Sequence, residues 1–318
     1  MADSINEPIL LAGKSHVQLA KDIAAILGVE LHEPISVFSD GEIRVRVAPN
    51  LRRRQVFIVQ PASPNVNDSI MEILFMIDAA KRASASEVSV IVPYYAYARQ
   101  DRKEMPRVPI SSSVIARMFE QAGADRIVTI DIHSEQQQGF VQIPWDNLYG
   151  SYAILPEVKA RGVDNLIVAS PDKNGLHRAT GYAKLLGAQG VALVYKQRDV
   201  TLNNTSEAQA MIGDVKGKDV IIIDDMLDTG GTLVHAADFL KKEGAKSIRV
   251  AVTHGIFSGS AIEKISGSAI DEVIVTDSIA HRKEITSNKK ITITTVAPLL
   301  AEAIKRISSG ESVSSLIY

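Results

Sequence analysis

The sequence predicts an α/β protein of two consecutive units, each a mainly parallel sheet flanked by helices. Short β-branched runs recur at Ile9 to Ala12, Val56 to Gln60, Val88 to Val92 and Ile127 to Ile130. They return at Leu166 to Ala169, Val191 to Tyr195, Val220 to Ile223, Ile248 to Val252, Val273 to Val275 and Ile291 to Thr295. Segments with helical spacing separate most of them, and that alternation belongs to parallel sheets. Length is the second observation. A chain of 318 residues exceeds one core of roughly 150 residues, so two units joined near Trp145 to Ser151 suit it better than one oversized sheet.

Within the first unit, Leu19, Ile23, Ile26 and Leu27 fall on one helical face, and Gly28 stands where a helix would stop. A different pattern follows. Ile35 to Phe38 and the alternating run Ile43 to Val47 enclose Ser39-Asp40-Gly41-Glu42. Asp-Gly between alternating runs signals a hairpin, and arginines on one of its faces must meet solvent or a partner. A protruding β-hairpin is expected.

Lys plus Arg (35) nearly cancels Asp plus Glu (37), which removes the broad positive field of a sequence-independent nucleic-acid binder. An anionic ligand must then be held locally. The chain has no Cys, which excludes disulfides, thiolate metal sites and Cys nucleophiles and fits a reducing, cytoplasmic compartment. The opening MADSINEPIL does not read as a secretory signal. No apolar run approaches the ~18 residues of a membrane span.

The strongest local pattern runs from Val220 through Asp224, Asp225, Asp228, Thr229, Gly230, Gly231 and Thr232 into a helical segment, Leu233 to Glu243. A buried strand ending in acidic residues puts them at the carboxyl edge of a parallel sheet, where α/β folds bind ligands. The glycines let backbone N–H groups close around a phosphate at a helix N-terminus, with Thr229 and Thr232 as further donors. Carboxylates beside a phosphate cradle make sense when they address neutral hydroxyls a few ångströms away, and a sugar phosphate meets both demands. Two Asp, two spacers, then Asp-Thr-Gly-Gly-Thr resembles the signature of phosphoribosyl-binding proteins. That resemblance implies that Asp224 and Asp225 bind ribose hydroxyls and that Asp228 to Thr232 hold the 5-phosphate. By itself the loop does not separate an enzyme that makes an activated ribose phosphate from one that consumes it.

Further candidates lie elsewhere. Arg99 and Gln100, in a charged loop after the strand at Val88 to Val92, suit phosphate and an adenine edge respectively. Lys196 and Arg198 follow the strand Val191 to Val194 and share one face of an extended segment, so both could reach a diphosphate. The polar stretch Val200 to Ser206 after them reads as a mobile loop. His133, just past the strand Arg126 to Asp131, reads on its own as a structural histidine.

Together, FSDGEI at Phe38 to Ile43, SASEV at Ser84 to Val88, YARQDRK at Tyr97 to Lys103, PRVPIS at Pro106 to Ser111 and DIHSEQQQGF at Asp131 to Phe140 resemble the ribose-phosphate pyrophosphokinase family. DNLY at Asp146 to Tyr149, DDMLDTGGT, HGIFSG at His254 to Gly259 and GESVS at Gly310 to Ser314 carry the likeness along nearly the whole chain. It implies two phosphoribosyltransferase-like domains. The first, 1–148, serves ATP, with 301–318 packed on it, and the second, 149–300, binds ribose 5-phosphate. It implies that Phe38, Asp40, Gly41 and Glu42 contact ATP in a neighbouring subunit together with Arg99 and Gln100. His133 and Asp172 would be the Mg²⁺ residues, and Lys196 and Arg198 the catalytic ones, Arg198 also meeting ribose 5-phosphate. A cytoplasmic homohexamer is implied, without nucleic acid or membrane as a partner; phosphate activation and ADP inhibition near Ser312 and Ser314 stay open.

One turn departs from the family's usual pattern. Where Asp, a spacer and two glycines are usual, this chain has Asp172-Lys173-Asn174-Gly175, which puts metal or sugar placement near Asp172 in question. Two rival readings remain at this point. A phosphoribosyltransferase shares the sugar-phosphate loop but leaves FSDGEI and YARQDRK unexplained. A non-catalytic regulatory relative has the altered turn in its favour and the intact Lys196 and Arg198 against it.

Overall fold

The computed structural model describes residues 7–198 and 207–316, the side chains of 196–198 and 207–209 excepted. The expected mobile loop at Val200 to Ser206 lies outside the described residues. The chain divides into two units: Met1–Gly150 with Ser278–Ala280 and Thr295–Tyr318, and Ser151–Asp277 with His281–Thr294.

The first unit runs β1 (Ile9–Ala12), α1 (Val17–Leu27), β2 (Leu31–His32), β3 (Ile35–Val37), β4 (Ile43–Val45), β5 (Gln55–Val59), α2 (Val66–Arg82), β6 (Glu87–Ile91), α3 (Ser111–Ala122), β7 (Arg126–Ile130) and β8 (Trp145–Leu148). Its sheet has the order β2-β1-β5-β6-β7-β8, and every pair is parallel. After their first residue, β5, β6 and β7 are buried throughout. Strands covered on both faces need continuous rather than alternating apolar runs, which is why these stand out in the sequence. Within the stretch Trp145 to Ser151, Trp145 to Leu148 form an edge strand parallel to β7, and the units divide between Gly150 and Ser151. The run W-D-N-L has no β-branched residue to announce it.

In α1 the buried residues are Leu19, Ala20, Ile23 and Ala24, and Gly28 closes the helix in a left-handed C-cap. The buried stripe is turned toward the two alanines, so Ile26, expected on it, rides its margin and is 55% exposed. The hairpin β3–β4 forms a separate two-stranded sheet, with Ile35, Ser36 and Val37 opposite Val45, Arg44 and Ile43.

The second unit runs α4 (Ser151–Ala160), β9 (Leu166–Ser170), α5 (Leu176–Leu186), β10 (Gly190–Arg198), β11 (Glu207–Ile212), β12 (Asp219–Leu227), α6 (Gly231–Lys242), β13 (Ser247–Gly255), α7 (Ala261–Ser266), β14 (Glu272–Thr276), α8 (Lys283–Thr286) and β15 (Ile291–Thr294). The chain then returns to the first unit as α9 (Ala297–Ser309), which packs on α1. The second sheet has the order β11-β10-β9-β12-β13-β14-β15, parallel except for the antiparallel edge strand β11.

Alternation along β12 sorts its side chains between two cores. Val220 and Ile222 pack with Leu233, Ala236, Ala237 and Leu240 of α6, while Ile221 and Ile223 pack with Ile154 and Val158 of α4 and Ala179 and Tyr182 of α5. Helices therefore cover both faces. Leaving β11 aside, the two sheets share one winding: the second strand lies outside the first, and the third returns to the first strand's other side. Such a reversal leaves a crevice at the strands' carboxyl ends, between β1 and β5 in one unit and between β9 and β12 in the other. Ile222, with no exposed surface, sits at the centre of the second sheet. Replacing it with Ala is expected to cost about 2–5 kcal/mol, read as a lower urea midpoint for the second unit with an unchanged slope.

Candidate functional site

The β9/β12 crevice collects most of the chemistry. β9 pairs with β12 only as far as Ile222, whereas β12 continues beside β13 to Leu227. Asp224 and Asp225 therefore lie within the strand, near its carboxyl end, on a stretch whose β9 side has no ladder partner in that register. The backbone N–H of Asp225 donates to the Asp224 carboxylate at 2.9 Å. Arg178 of α5 reaches across, its Nη1 standing 3.7 Å from an oxygen of each Asp. Burial first, then the adjacent Asp225 charge, pushes the Asp224 carboxyl up to about 8, while Arg178 pulls it back.

Beyond Leu227 the chain turns tightly into α6. Gly230 takes a left-handed backbone, φ 73°, which a side chain would strain, and no side chain caps the α6 N-terminus. The turn is held from behind through its carbonyls. Ile256 and Phe257 donate to Leu227, Ser258 donates to Asp228 at 2.9 Å, and the Lys264 ammonium donates to Thr229 at 3.2 Å. Carbonyls turned to the protein leave a loop of N–H groups and the Thr229 and Thr232 hydroxyls for an anion.

On the facing strand, Asp172 follows β9. Lys196 and Arg198 lie on β10, whose register with β11 pairs them with Gln209 and Glu207; their side chains are outside the described part.

In the first unit the corresponding crevice is closed by the protein's own groups. The Gln60 side chain accepts from the Ser15 hydroxyl at 2.8 Å and donates to the Glu72 carboxylate, which also accepts from the Lys14 N–H at 2.9 Å. Burial raises the Glu72 carboxyl above its ordinary value. A methyl added at Gly13 would lie 2.2 Å from Gln60 side-chain atoms, so Gln60 packs directly against the backbone at the end of β1.

The first unit's candidates stand on loops further along. Arg99 and Gln100 are exposed in the loop after β6, and Gln100 accepts from the Ser111 hydroxyl at 2.6 Å. His133 is exposed in the loop after the neighbouring strand β7. Buried anchors fix both loops: Tyr95 donates to the Ser112 carbonyl at 2.7 Å, and Gln137 donates to the Ala98 carbonyl at 2.9 Å while accepting from the Ser112 hydroxyl. Asn147 accepts from the Ile132 N–H at 2.9 Å, and Asp131 accepts from the Gly150 N–H at 2.9 Å. Phe38 is 49% exposed with the Arg44 guanidinium 5.6 Å from its ring centre, and Asp40 accepts from the Glu42 N–H at 3.0 Å across Gly41. The hairpin aromatic is not part of a core.

Comparison with known proteins fits this arrangement. Residues 8–123 match the family model described as the N-terminal domain of ribose phosphate pyrophosphokinase, and 193–318 match the phosphoribosyl synthetase-associated domain. A ribose-phosphate pyrophosphokinase from Wolinella succinogenes is 47% identical over 308 residues, 96% of this chain and 98% of the relative. The chain belongs to the ribose-phosphate pyrophosphokinase family. A second family member, from Chlorobaculum tepidum, is 48% identical over 96% of this chain and 94% of its own length. The crystal structure of phosphoribosylpyrophosphate synthetase from Mycobacterium smegmatis superposes with a TM-score of 0.88 at 36% identity, covering 96% of this chain and 99% of that one.

The altered turn after Asp172 keeps an ordinary backbone at Lys173 and Asn174. Asn174 is not among the residues with positive φ, so no glycine is required there. The turn is closed by Asp172 itself, whose Oδ1 accepts from the Gly175 N–H at 2.9 Å while Ser170 donates to its carbonyl at 2.7 Å. Gly175 is where glycine matters, since a Cβ would lie 2.7 Å from the Ser170 hydroxyl oxygen. Lys173 rests its ammonium 5.6 Å from the centre of the Tyr195 ring, one residue before Lys196.

Because the folded-state value of Asp224 is raised, its contribution favours the fold at low pH and is lost as pH climbs toward about 8. Asp224→Asn is therefore expected to raise the melting temperature, with a gain that grows between pH 5 and pH 8 and then levels, as followed by thermal denaturation. A gain that shrank with pH would refute the assigned direction.

Proposed function

We propose that the protein transfers the β,γ-diphosphate of ATP to the C1 hydroxyl of ribose 5-phosphate, giving 5-phosphoribosyl 1-diphosphate and AMP for nucleotide biosynthesis. The observation that carries this is the β9/β12 crevice, where two carboxylates stand on the strand that leads straight into an uncapped, left-handed phosphate turn. Asp224 and Asp225 accept from the ribose hydroxyls. The N–H groups and hydroxyls from Asp228 to Thr232 take the 5-phosphate, and Arg198 adds charge to it. Arg99 and Gln100 serve ATP, completed by Phe38, Asp40, Gly41 and Glu42 from a neighbouring subunit in a homohexamer; the exposed Phe38 supports this.

Among the described residues no three His, Asp or Glu side chains gather as a metal cage. That suits Mg²⁺, which keeps waters and substrate phosphates as ligands and needs one or two protein groups. Asp172 commits Oδ1 to its own turn, leaving its other oxygen for the ion, and His133 is exposed on its loop. When bound, Mg²⁺ would neutralise phosphate charge. The protein's own part is positioning and cationic stabilisation of the transferring group by Lys196 and Arg198. Attack by the C1 oxygen on the β-phosphorus expels AMP and releases the hydroxyl proton. Among the described residues no helix is long and apolar enough to cross a membrane, and a cytoplasmic location goes with this reading.

Mixing the protein with Mg-ATP and ribose 5-phosphate and following phosphorus NMR should show AMP and phosphoribosyl diphosphate together. A transferase or a non-catalytic relative would give neither. Lys196→Ala should lower kcat by at least ~10²-fold, the scale of losing one transition-state donor, with an unchanged circular dichroism spectrum. Retention of more than about a tenth of wild-type turnover would remove Lys196 from its role.

A further inference from the structure

The turn into α6 is shaped from behind by a segment that has no substrate contact in the mechanism above. β12 and β13 end side by side, Leu227 opposite Gly255, and the chain after Gly255 curls against the turn. Ile256 and Phe257 both donate to the Leu227 carbonyl, at 2.8 and 3.1 Å, and Ser258 donates to the Asp228 carbonyl at 2.9 Å. Successive N–H groups converge on one oxygen when the backbone that carries them curls into a nest. Phe257 supplies that curl with φ 51°, a left-handed conformation that a bulky side chain adopts where its surroundings impose it.

His281 and Arg282, adjacent residues further along the chain, do the imposing. The Phe257 ring has no exposed surface and lies edge-to-face against the His281 imidazole, with ring centres 5.9 Å apart. His281 is itself fixed. Its Nε2 stands 2.8 Å from the Thr276 carbonyl, which can only accept, so Nε2 carries the proton. Burial pulls His281 below its ordinary pKa, against the Thr276 carbonyl and the Asp277 carboxylate, and its buried Nδ1 has no hydrogen-bond partner. Both features belong to a neutral ring used for packing. Arg282 then donates from Nη2 to the Phe257 carbonyl at 3.0 Å, so Phe257 is gripped by its side chain and by its backbone at once.

We propose that Arg282, with His281 as its abutment, is a positioning residue for the 5-phosphate of ribose 5-phosphate. By clamping Phe257 it aims the N–H groups of 256–258 at the Leu227 and Asp228 carbonyls, and so presents the backbone N–H groups of 229–232 to the phosphate. This rests on the reading of that turn as the phosphate site. Its consequence is a split between substrates: loss of the clamp weakens the hold on the sugar phosphate and leaves ATP binding and saturated turnover alone.

Steady-state kinetics and amide hydrogen exchange of the wild type, Arg282→Ala and Arg282→Lys test it. Arg282 is exposed, so its replacement spares the core. Arg282→Ala is expected to raise KM for ribose 5-phosphate at least ~5-fold, a discounted share of a hydrogen bond from a charged group at an exposed position, while kcat and KM for ATP stay within about twofold. Without ligand, the amides of 227–232 and 256–258 should exchange faster in Arg282→Ala, and Arg282→Lys should restore both readings in part. Should Arg282→Ala not fold, calorimetric titration of Arg282→Lys with ribose 5-phosphate and with ATP takes its place, with affinity expected to fall for the sugar phosphate alone. An unchanged KM for ribose 5-phosphate, an equal rise in both substrates' KM, or a lowered melting temperature with unaltered exchange at the turn overturns the proposal while the function stands. A wild-type protein that binds no ribose 5-phosphate overturns both.

Discussion

Placing two adjacent carboxylates on a buried strand is costly, and the second unit is arranged around that cost. Asp224 and Asp225 repel each other on a strand segment that leaves β9 behind. What makes them tolerable is Arg178, delivered by the helix that follows the neighbouring strand. That delivery depends on the winding of the sheet, which puts β9 and its Asp172 turn next to β12 and its phosphate turn. The paired carboxylates and the uncapped start of α6 then lie a few residues apart.

The two units show what the same winding does without that arrangement. In the first, the crevice between β1 and β5 is filled by Gln60, Glu72 and Ser15, joined to one another and to the Lys14 N–H. Its exposed functional candidates stand instead on the loops after β6 and β7, each braced by buried polar side chains. One unit fills its crevice with its own side chains; the other sets two carboxylates and an uncapped helix start beside its crevice.

Much of this was legible in the residues because the physics is local. Strands buried on both faces demand mostly apolar runs; β1, β5, β9 and the first half of β12 show them, and β6 and β7 do so with one buried polar residue each, Ser89 and Thr129. The tight turn into α6 was readable from its glycines, and the exposed Phe38 from the Asp-Gly hairpin around it. The misses have equally physical causes. β2 has only two residues, β8 lacks β-branched side chains, and β11 lies against the edge of β10 as an antiparallel strand no local run demanded. Ile26 looked buried because a helical wheel does not say which half of an apolar stripe meets the sheet. Gln137, Ser112, Asn147 and Arg178 escaped notice for another reason. Each acts on a residue far along the chain, and no spacing records that.

The central claim is that the β9/β12 edge is where the sugar phosphate sits, and a structure determined with ribose 5-phosphate bound tests it most directly. The account predicts the ribose hydroxyls within hydrogen-bond reach of Asp224 and Asp225 and the phosphate against the backbone between Asp228 and Thr232. A sugar lying elsewhere, or turned so that its phosphate meets the carboxylates' side of the crevice, would contradict it.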